Sequence, residues 1–166
     1  MAKMMSPNTR IDWFPLNAFA VPGAVTAPEA NAGTNISCAI VTGYTLGFTD
    51  SDTDDSKTIC DEGNVQNRGF ANYEANLAIY RDPLGANPTV FSTTRDIFKD
   101  GRVEGWLMVR HGFKSGKEYA LGQNYSLFKV MSDFVRTTAA DKGGPVQVEI
   151  PFMQQGEAYG NAKIVA

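Results

Sequence analysis

The sequence holds one histidine and two cysteines in 166 residues. No serine or cysteine motif accompanies His111, which argues against a nucleophile–base dyad. Cys38 and Cys60 are too few for a disulfide framework or a four-ligand zinc site, and read as two small buried apolar residues, with a single bridge between them as the alternative. The nucleophile-elbow, Walker, dinucleotide-binding and paired-histidine zinc signatures are all missing. No apolar run approaches the length of a membrane span. After Lys3, an apolar stretch is interrupted by Asp12, Pro15, Asn17 and Pro22, which argues against a secretory signal. Basic residues are scattered and the net charge is −3, unlike a surface made to grip nucleic acid. No cofactor is implied.

What is present fits one soluble-type domain. Apolar residues make up 43% and charged residues 20% of the chain, enough to bury a core at this length. Sixteen glycines and eight prolines, spread between short alternating runs, favour strands and turns over a helical bundle.

The most informative stretch runs from Gly69 to Gly112. Residues 73–80 alternate, with Tyr73, Ala75, Leu77 and Ile79 on one face and Glu74, Asn76, Ala78 and Tyr80 on the other, the period of a strand between unlike surroundings. Arg81 to Gly85 supplies a turn. A helix follows, with Asn87 as cap, Pro88 at its first position, Val90, Phe91, Thr94, Ile97 and Phe98 on one face, and Gly101 as the left-handed stop. Val103 to Phe113 then reads as a second strand.

Residues 1–34 are irregular, with Trp13, Phe14 and Phe19 clustered. They either pack on their own domain or form an arm reaching a neighbouring molecule. Domain 35–166 opens with Ile36–Val41, read as a buried strand paired with Tyr44–Phe48 across a tight turn. The loop 49–68 carries Asp50, Asp52, Asp54 and Asp55. Its spacing imitates a calcium loop but places Asp55 where glycine is needed and Asp61 where glutamate is needed, so a solvated loop is expected. Downstream, Gly112–Gly122 reads as a loop, Tyr125–Val135 as a strand, and Gly143-Gly144-Pro145 as a turn. Val146–Phe152 reads as a half-buried strand with Pro151 at an edge or bulge, and Ala162–Val165 as a last short strand. The expected fold is mainly β: an antiparallel sandwich or partly closed barrel of about seven strands with one flanking helix. Glu74, Glu104, Glu149 and Glu157 share no evident pocket, so solvated strand faces explain them better than a glycosidase pair.

The order of motifs adds a resemblance. The Ile36–Val41 run is followed by Thr58-Ile59-Cys60-Asp61 and by Asn72-Tyr73-Glu74-Ala75, which opens a strand ending Tyr80-Arg81-Asp82. Phe98-Lys99-Asp100-Gly101 and Gly105-Trp106-Leu107-Met108-Val109-Arg110-His111-Gly112 complete the series. Over residues 35–165 this resembles the major tail tube proteins of long-tailed, siphovirus-type bacteriophages, in the branch found in phages of actinobacteria. The resemblance implies a non-enzymatic virion protein of the tail, assembled in the host cytoplasm. Hexameric rings would stack into a tube around a tape-measure protein, with tail terminator and distal tail proteins at its ends. Phage DNA would pass through the lumen without specific binding. On that basis Trp13 and Phe14 of the arm and Asp50, Asp52, Asp54 and Asp55 of the acidic loop are candidate contacts between subunits or rings. Glu74, Asn76 and Glu104 are candidate lumen-facing residues. The alternatives are a tail terminator or capsid decoration protein of related fold, and a carbohydrate-binding or hydrolytic β-domain.

Overall fold

The computed structural model describes residues 8–55, 57–60, 62–63, 66–83, 87–138 and 144–166. Residues 1–7, Asp61, Leu84, Gly85 and Gly143 of the segments discussed above lie outside them. In chain order the elements are β1 (Thr9–Pro15), α1 (Ala27–Asn31), β2 (Thr34–Asn35), a 3-10 turn (Ser37–Ala39), β3 (Thr45–Phe48), β4 (Thr53–Asp54), β5 (Asn67–Arg68), β6 (Tyr73–Tyr80), α2 (Val90–Phe98), β7 (Glu104–His111), β8 (Asn124–Ser132), β9 (Arg136–Thr138) and β10 (Gln147–Lys163). One antiparallel sheet runs β2-β1-β7-β8-β10-β6-β3, with β9 also beside β10, and β4 and β5 form a separate ribbon. The mainly β expectation holds, and the sheet does not close on itself.

The sheet has a core on each face. Leu107 and Val109 of β7 join Ile11, Trp13, Leu77, Ile79, Phe128 and Ile150 in one core, and α2 contributes Phe98. Trp106 and Met108 of the same strand join Phe14, Phe19, Val25, Tyr125, Leu127 and Ile164 in the other. A strand buried on both faces must be apolar throughout, which explains the unbroken Trp106–Val109 run. By contrast β6 buries one face, so it keeps the alternation read from its sequence. Gly105 is required by the close approach of β1: a Cβ there would lie 2.3 Å from the Phe14 carbonyl oxygen and 2.6 Å from the Trp13 ring.

Several expectations change. Residues 9–15 are not an outlying arm but strand β1, in register with β7 from Thr9↔His111 to Pro15↔Gly105. Trp13 meets Phe98 edge-on at 4.8 Å, and Phe14 lies 4.7 Å from Phe19. At 6% and 1% exposure these rings belong to their own chain's cores, so neither side chain is free for a contact between molecules. Residues 16–31 then cover the second core. There Thr26 caps α1 in a capping box with Glu29, whose carboxyl is held below its usual range by the backbone amides of Thr26 and Ala20.

Likewise, Ile36–Val41 is not a strand. The Ile36 amide donates to the Ile11 carbonyl of β1, and the Val41 amide donates to the Ala78 carbonyl of β6. The segment therefore spans the seam between the two ends of the sheet, through a 3-10 turn. Ile36 and Ala39 are buried there while Cys38 is exposed. A short apolar run cannot distinguish a strand from a buried crossing. Consequently β3 pairs with β6, from Thr45↔Asn76 to Phe48↔Tyr73, and not with residues 36–41.

The remaining elements follow their local chemistry. Thr89, not Asn87, caps α2 by accepting from the Phe91 amide. Asp82 in turn accepts from the hydroxyls of Thr89 and Ser92; those two hydroxyls lower its carboxyl's affinity for a proton. Gly101 ends the helix at φ +65°. The two strands expected near the C-terminus are one, β10, with register shifts between Gln154 and Ala158 and between Tyr159 and Ala162. Pro151 sits where β9 gives way to β8, a place where no amide is needed.

A buried polar cluster joins β1 and β7 to the loop that follows β7. Asp12, fully buried, accepts from Arg10 Nε at 2.8 Å, from Arg10 Nη2 at 3.0 Å and from the Tyr119 hydroxyl at 2.7 Å. Both Arg10 and Arg110 stack on the Tyr119 ring, at 4.8 and 4.7 Å. Burial and the Asp12 charge raise the Tyr119 phenol far above its usual range, so it stays a donor. Replacing Asp12 by alanine strands a buried guanidinium and should cost about 3–5 kcal/mol in urea unfolding. Deleting residues 1–20 removes β1 and should abolish the cooperative thermal transition; a stably folded truncated monomer would restore the arm reading.

Candidate functional site

The surface that remains exposed is where the chain's chemistry toward other molecules must lie. Glu74, Asn76 and Glu104, the candidate lumen-facing residues, stand on one face of the sheet. Glu104 pairs with Met131 and Met131 with Met153, in one row across β7, β8 and β10. On β6, Glu74 and Asn76 point away from the first core, flanked by Gly47, Thr45 and Pro151. Glu149 and Glu157 stand on the same face. Lys129 pairs with Glu157 at 3.0 Å, and Arg136, opposite Glu149, bonds Asp133 at 3.3 Å. Carboxylates outnumber cations on this face. The side-chain oxygen of Asn76 is buried and has no donor among the described residues.

Beside this face, β10 offers an open edge. Pairing with β6 ends at Phe152↔Ala75, and beyond it β10 keeps β8 on one side only among the described residues. Gly156 and Asn161 take positive φ values of 80° and 58° there, the local distortion that marks bulges. A crevice of about 330 Å³ lies along this part of the strand, lined by Phe70, Ala71, Asn72, Gln154, Gly156 and Ala158.

Its other wall belongs to the hairpin 49–72, which contains the acidic stretch. The Thr49 amide donates to Asn72, the Asp52 amide to Phe70 and the Gly69 amide to Asp52. Thr53↔Arg68 and Asp54↔Asn67 continue the ladder. Asp50, Asp52, Asp54 and Asp55 are all exposed. The Asp52 carboxylate accepts from Asn72 Nδ2 at 2.9 Å, so it fastens the hairpin's base. Among the described residues no three His, Cys, Asp or Glu side chains converge as metal ligands do. His111 is exposed and sits 3.1 Å from the Thr9 hydroxyl. Cys38 and Cys60 are free thiols, and both are exposed, contrary to the buried expectation.

The hairpin also exposes apolar side chains that sequence reading passed over: Ile59 fully and Phe70 at 83%. The signal was available, because both sit in polar or glycine-rich stretches where burial has no local support. A family model of phage tail tube proteins matches residues 1–166 of the sequence. The chain belongs to the phage tail tube protein family. A tail tube protein is a structural part of the virion tail. Comparison with curated proteins finds no match. Among solved structures, the chain is similar to one from the tail of an empty GTA particle with C6 symmetry: 14% identity, TM-score 0.56, covering 96% of this chain and all of that one. It is also similar to a chain of an extracellular contractile injection system, described as a sheath/tube terminator in the extended state: 10% identity, TM-score 0.52, covering 98% and 99%. These likenesses concern the fold.

The tail tube chain's hairpin surface can be separated from its core. Phe48 packs its ring 5.1 Å from Phe128, whereas Phe70 has little cover. Replacing Phe70 by serine should change the unfolding free energy by less than about 0.5 kcal/mol. The same change at Phe48 should cost about 1–2 kcal/mol. Equal effects in denaturant titrations would mean that Phe70 is held by its own chain.

Proposed function

We propose that this protein builds the tail tube as rings of six copies, stacked head to tail. The observation that carries the reading is the family match over the whole chain, joined to a fold that leaves unlike surfaces (open edge, acidic face, hairpin) uncovered among the described residues of one copy. Contacts between unlike surfaces close into rings when the rotation permits and otherwise propagate as filaments. The sixfold symmetry of the GTA tail with the similar chain supports six copies. The order of short motifs supports assignment to siphovirus-type tails and to the actinobacteriophage branch.

In this reading the open edge of β10 continues the sheet into a neighbour. The face with Glu74, Asn76 and Glu104 lines the lumen, and its surplus of carboxylates repels phosphate so that DNA passes without being held. The tape-measure protein fills the lumen before ejection, and terminator and distal tail proteins cap the ends. Assembly takes place in the host cytoplasm. No step requires catalysis or a cofactor.

Concentrated full-length protein should form rings or tubes in negative stain and scatter light accordingly. A species that stays monomeric at every concentration and salt condition would overturn the proposal. Replacing Glu74 and Glu104 together by lysine should leave tubes intact but make them retain duplex DNA at low salt, where unaltered tubes retain none. Equal retention would remove these residues from the lumen.

A further inference from the structure

The loop 112–122 after β7 exposes most of its side chains, Tyr119 excepted, yet is held through much of its backbone. The carbonyl of Lys114 accepts from Arg110 Nη2, and that of Lys117 accepts from both Arg10 and Arg110, at 2.9 and 2.8 Å. Arg110 Nη1 donates to the Glu118 carbonyl at 3.0 Å. Asn35 Nδ2 donates to the Ser115 carbonyl at 2.9 Å and Asn31 Nδ2 to the Tyr119 carbonyl at 3.0 Å. Five carbonyls of one surface loop are thus satisfied by side chains from β1, α1, β2 and β7. Holding a loop in one shape removes the ordering cost it would otherwise meet on binding.

What the loop presents is apolar and, with exposed Lys114 and Lys117 against the single exposed carboxylate Glu118, basic on balance. Lys117 lies over the Phe113 ring at 4.3 Å, with Arg110 near the same ring at 5.4 Å. Phe113 is 38% and Leu121 68% exposed, and Lys114 and Lys117 are exposed. Beneath them, two buried guanidiniums face one buried carboxylate, Asp12, and the Nε of Arg110 is buried with no partner among the described residues. The local field is positive.

The chain carries the complement of this surface. In the hairpin 49–72 the described carboxylates are Asp50, Asp52, Asp54, Asp55 and Glu62, against Lys57 and Arg68, with Ile59 and Phe70 exposed beside them. We propose that the loop 112–122 is the docking surface for the acidic hairpin of a second copy, with Lys114 and Lys117 meeting its carboxylates and Phe113 and Leu121 meeting its apolar side chains. The inference rests on the assembly reading above and assigns the two surfaces that meet. The contact joins unlike patches, so each copy keeps one free donor and one free acceptor and the association propagates. Arg10, Arg110, Asn31 and Asn35 act as positioning residues: they shape the loop through its backbone.

The test uses charge exchange in the full-length protein. K114E/K117E and D50K/D55K each place like charges in contact and should raise the concentration needed for assembly by about tenfold or more. The loop substitutions leave the carbonyls held by the arginines in place. A variant carrying all four changes restores opposite charges and should assemble at a concentration near that of the unaltered protein. Assembly is read by light scattering and negative stain, and monomer integrity by circular dichroism and thermal unfolding. Unchanged assembly in both double variants, or folded variants whose losses are not rescued by combination, overturns the docking while leaving the tube reading standing. Failure of the unaltered protein to assemble overturns both. If the loop variant does not fold, K114Q/K117Q removes the charges without reversing them; unchanged salt dependence of assembly in that variant likewise overturns the proposal.

Discussion

One buried carboxylate fixes the arrangement on which much else depends. Asp12 takes both donors of the Arg10 fork and the Tyr119 hydroxyl, and so ties strand β1 to a residue 107 positions away in sequence. Taking an ion pair out of water is costly unless its remaining hydrogen bonds are met. Here they are met by carbonyls of the loop 112–122. The same set of bonds therefore locks the first strand to the sheet and gives the surface loop its shape. Arg10 and Arg110 are register partners on neighbouring strands, an unfavourable juxtaposition that the Tyr119 ring and the shared Lys117 carbonyl help to offset.

The parts of the fold legible in the sequence were those with a single buried face or a glycine stop. Strand β6 kept its alternation because only one side meets the core, and α2 kept its amphipathic face and its glycine stop. Strand β1 was unreadable for the opposite reason. Its residues alternate between an apolar core at Ile11 and Trp13 and a polar one at Arg10 and Asp12, so the pattern looks like an irregular charged segment. Ile36–Val41 looked like a strand because its apolar side chains are buried, yet its backbone hydrogen bonds go to two different strands. Burial alone does not set secondary structure.

The candidate surfaces divide the same way. That Glu74 and Asn76 share a face follows from the period of β6, while the place of Glu104 on that face emerges only from the pairing of β7, β8 and β10. The hairpin's acidity is plain in the sequence, but its exposed Ile59 and Phe70 matter only once their lack of cover is known. The loop 112–122 gave no sign beyond its glycines and mixed charge, since the bonds from Arg10, Asn31 and Asn35 that help to order it come from 80 or more positions away in sequence. Trp13 and Phe14 were attractive contact candidates as clustered aromatics in a polar segment, and aromatic clusters more often mark a core than an interface.

For a tail tube protein the open edge of β10 poses a physical problem, because an unpaired strand invites pairing with any passing chain. The structure meets it locally. Gly156 and Asn161 bend the strand out of regular geometry, Glu157 and Lys163 place charge along it, and Tyr73 occupies the Gln155 amide through its hydroxyl. An edge so distorted pairs poorly with a flat strand and needs a partner held in one orientation. Under the docking proposed above, a rigid loop and a charged hairpin that recognise each other across copies would supply such an orientation before any backbone bonds form. Selectivity in assembly would then come from side-chain surfaces, and strength from the sheet edge that those surfaces bring into register.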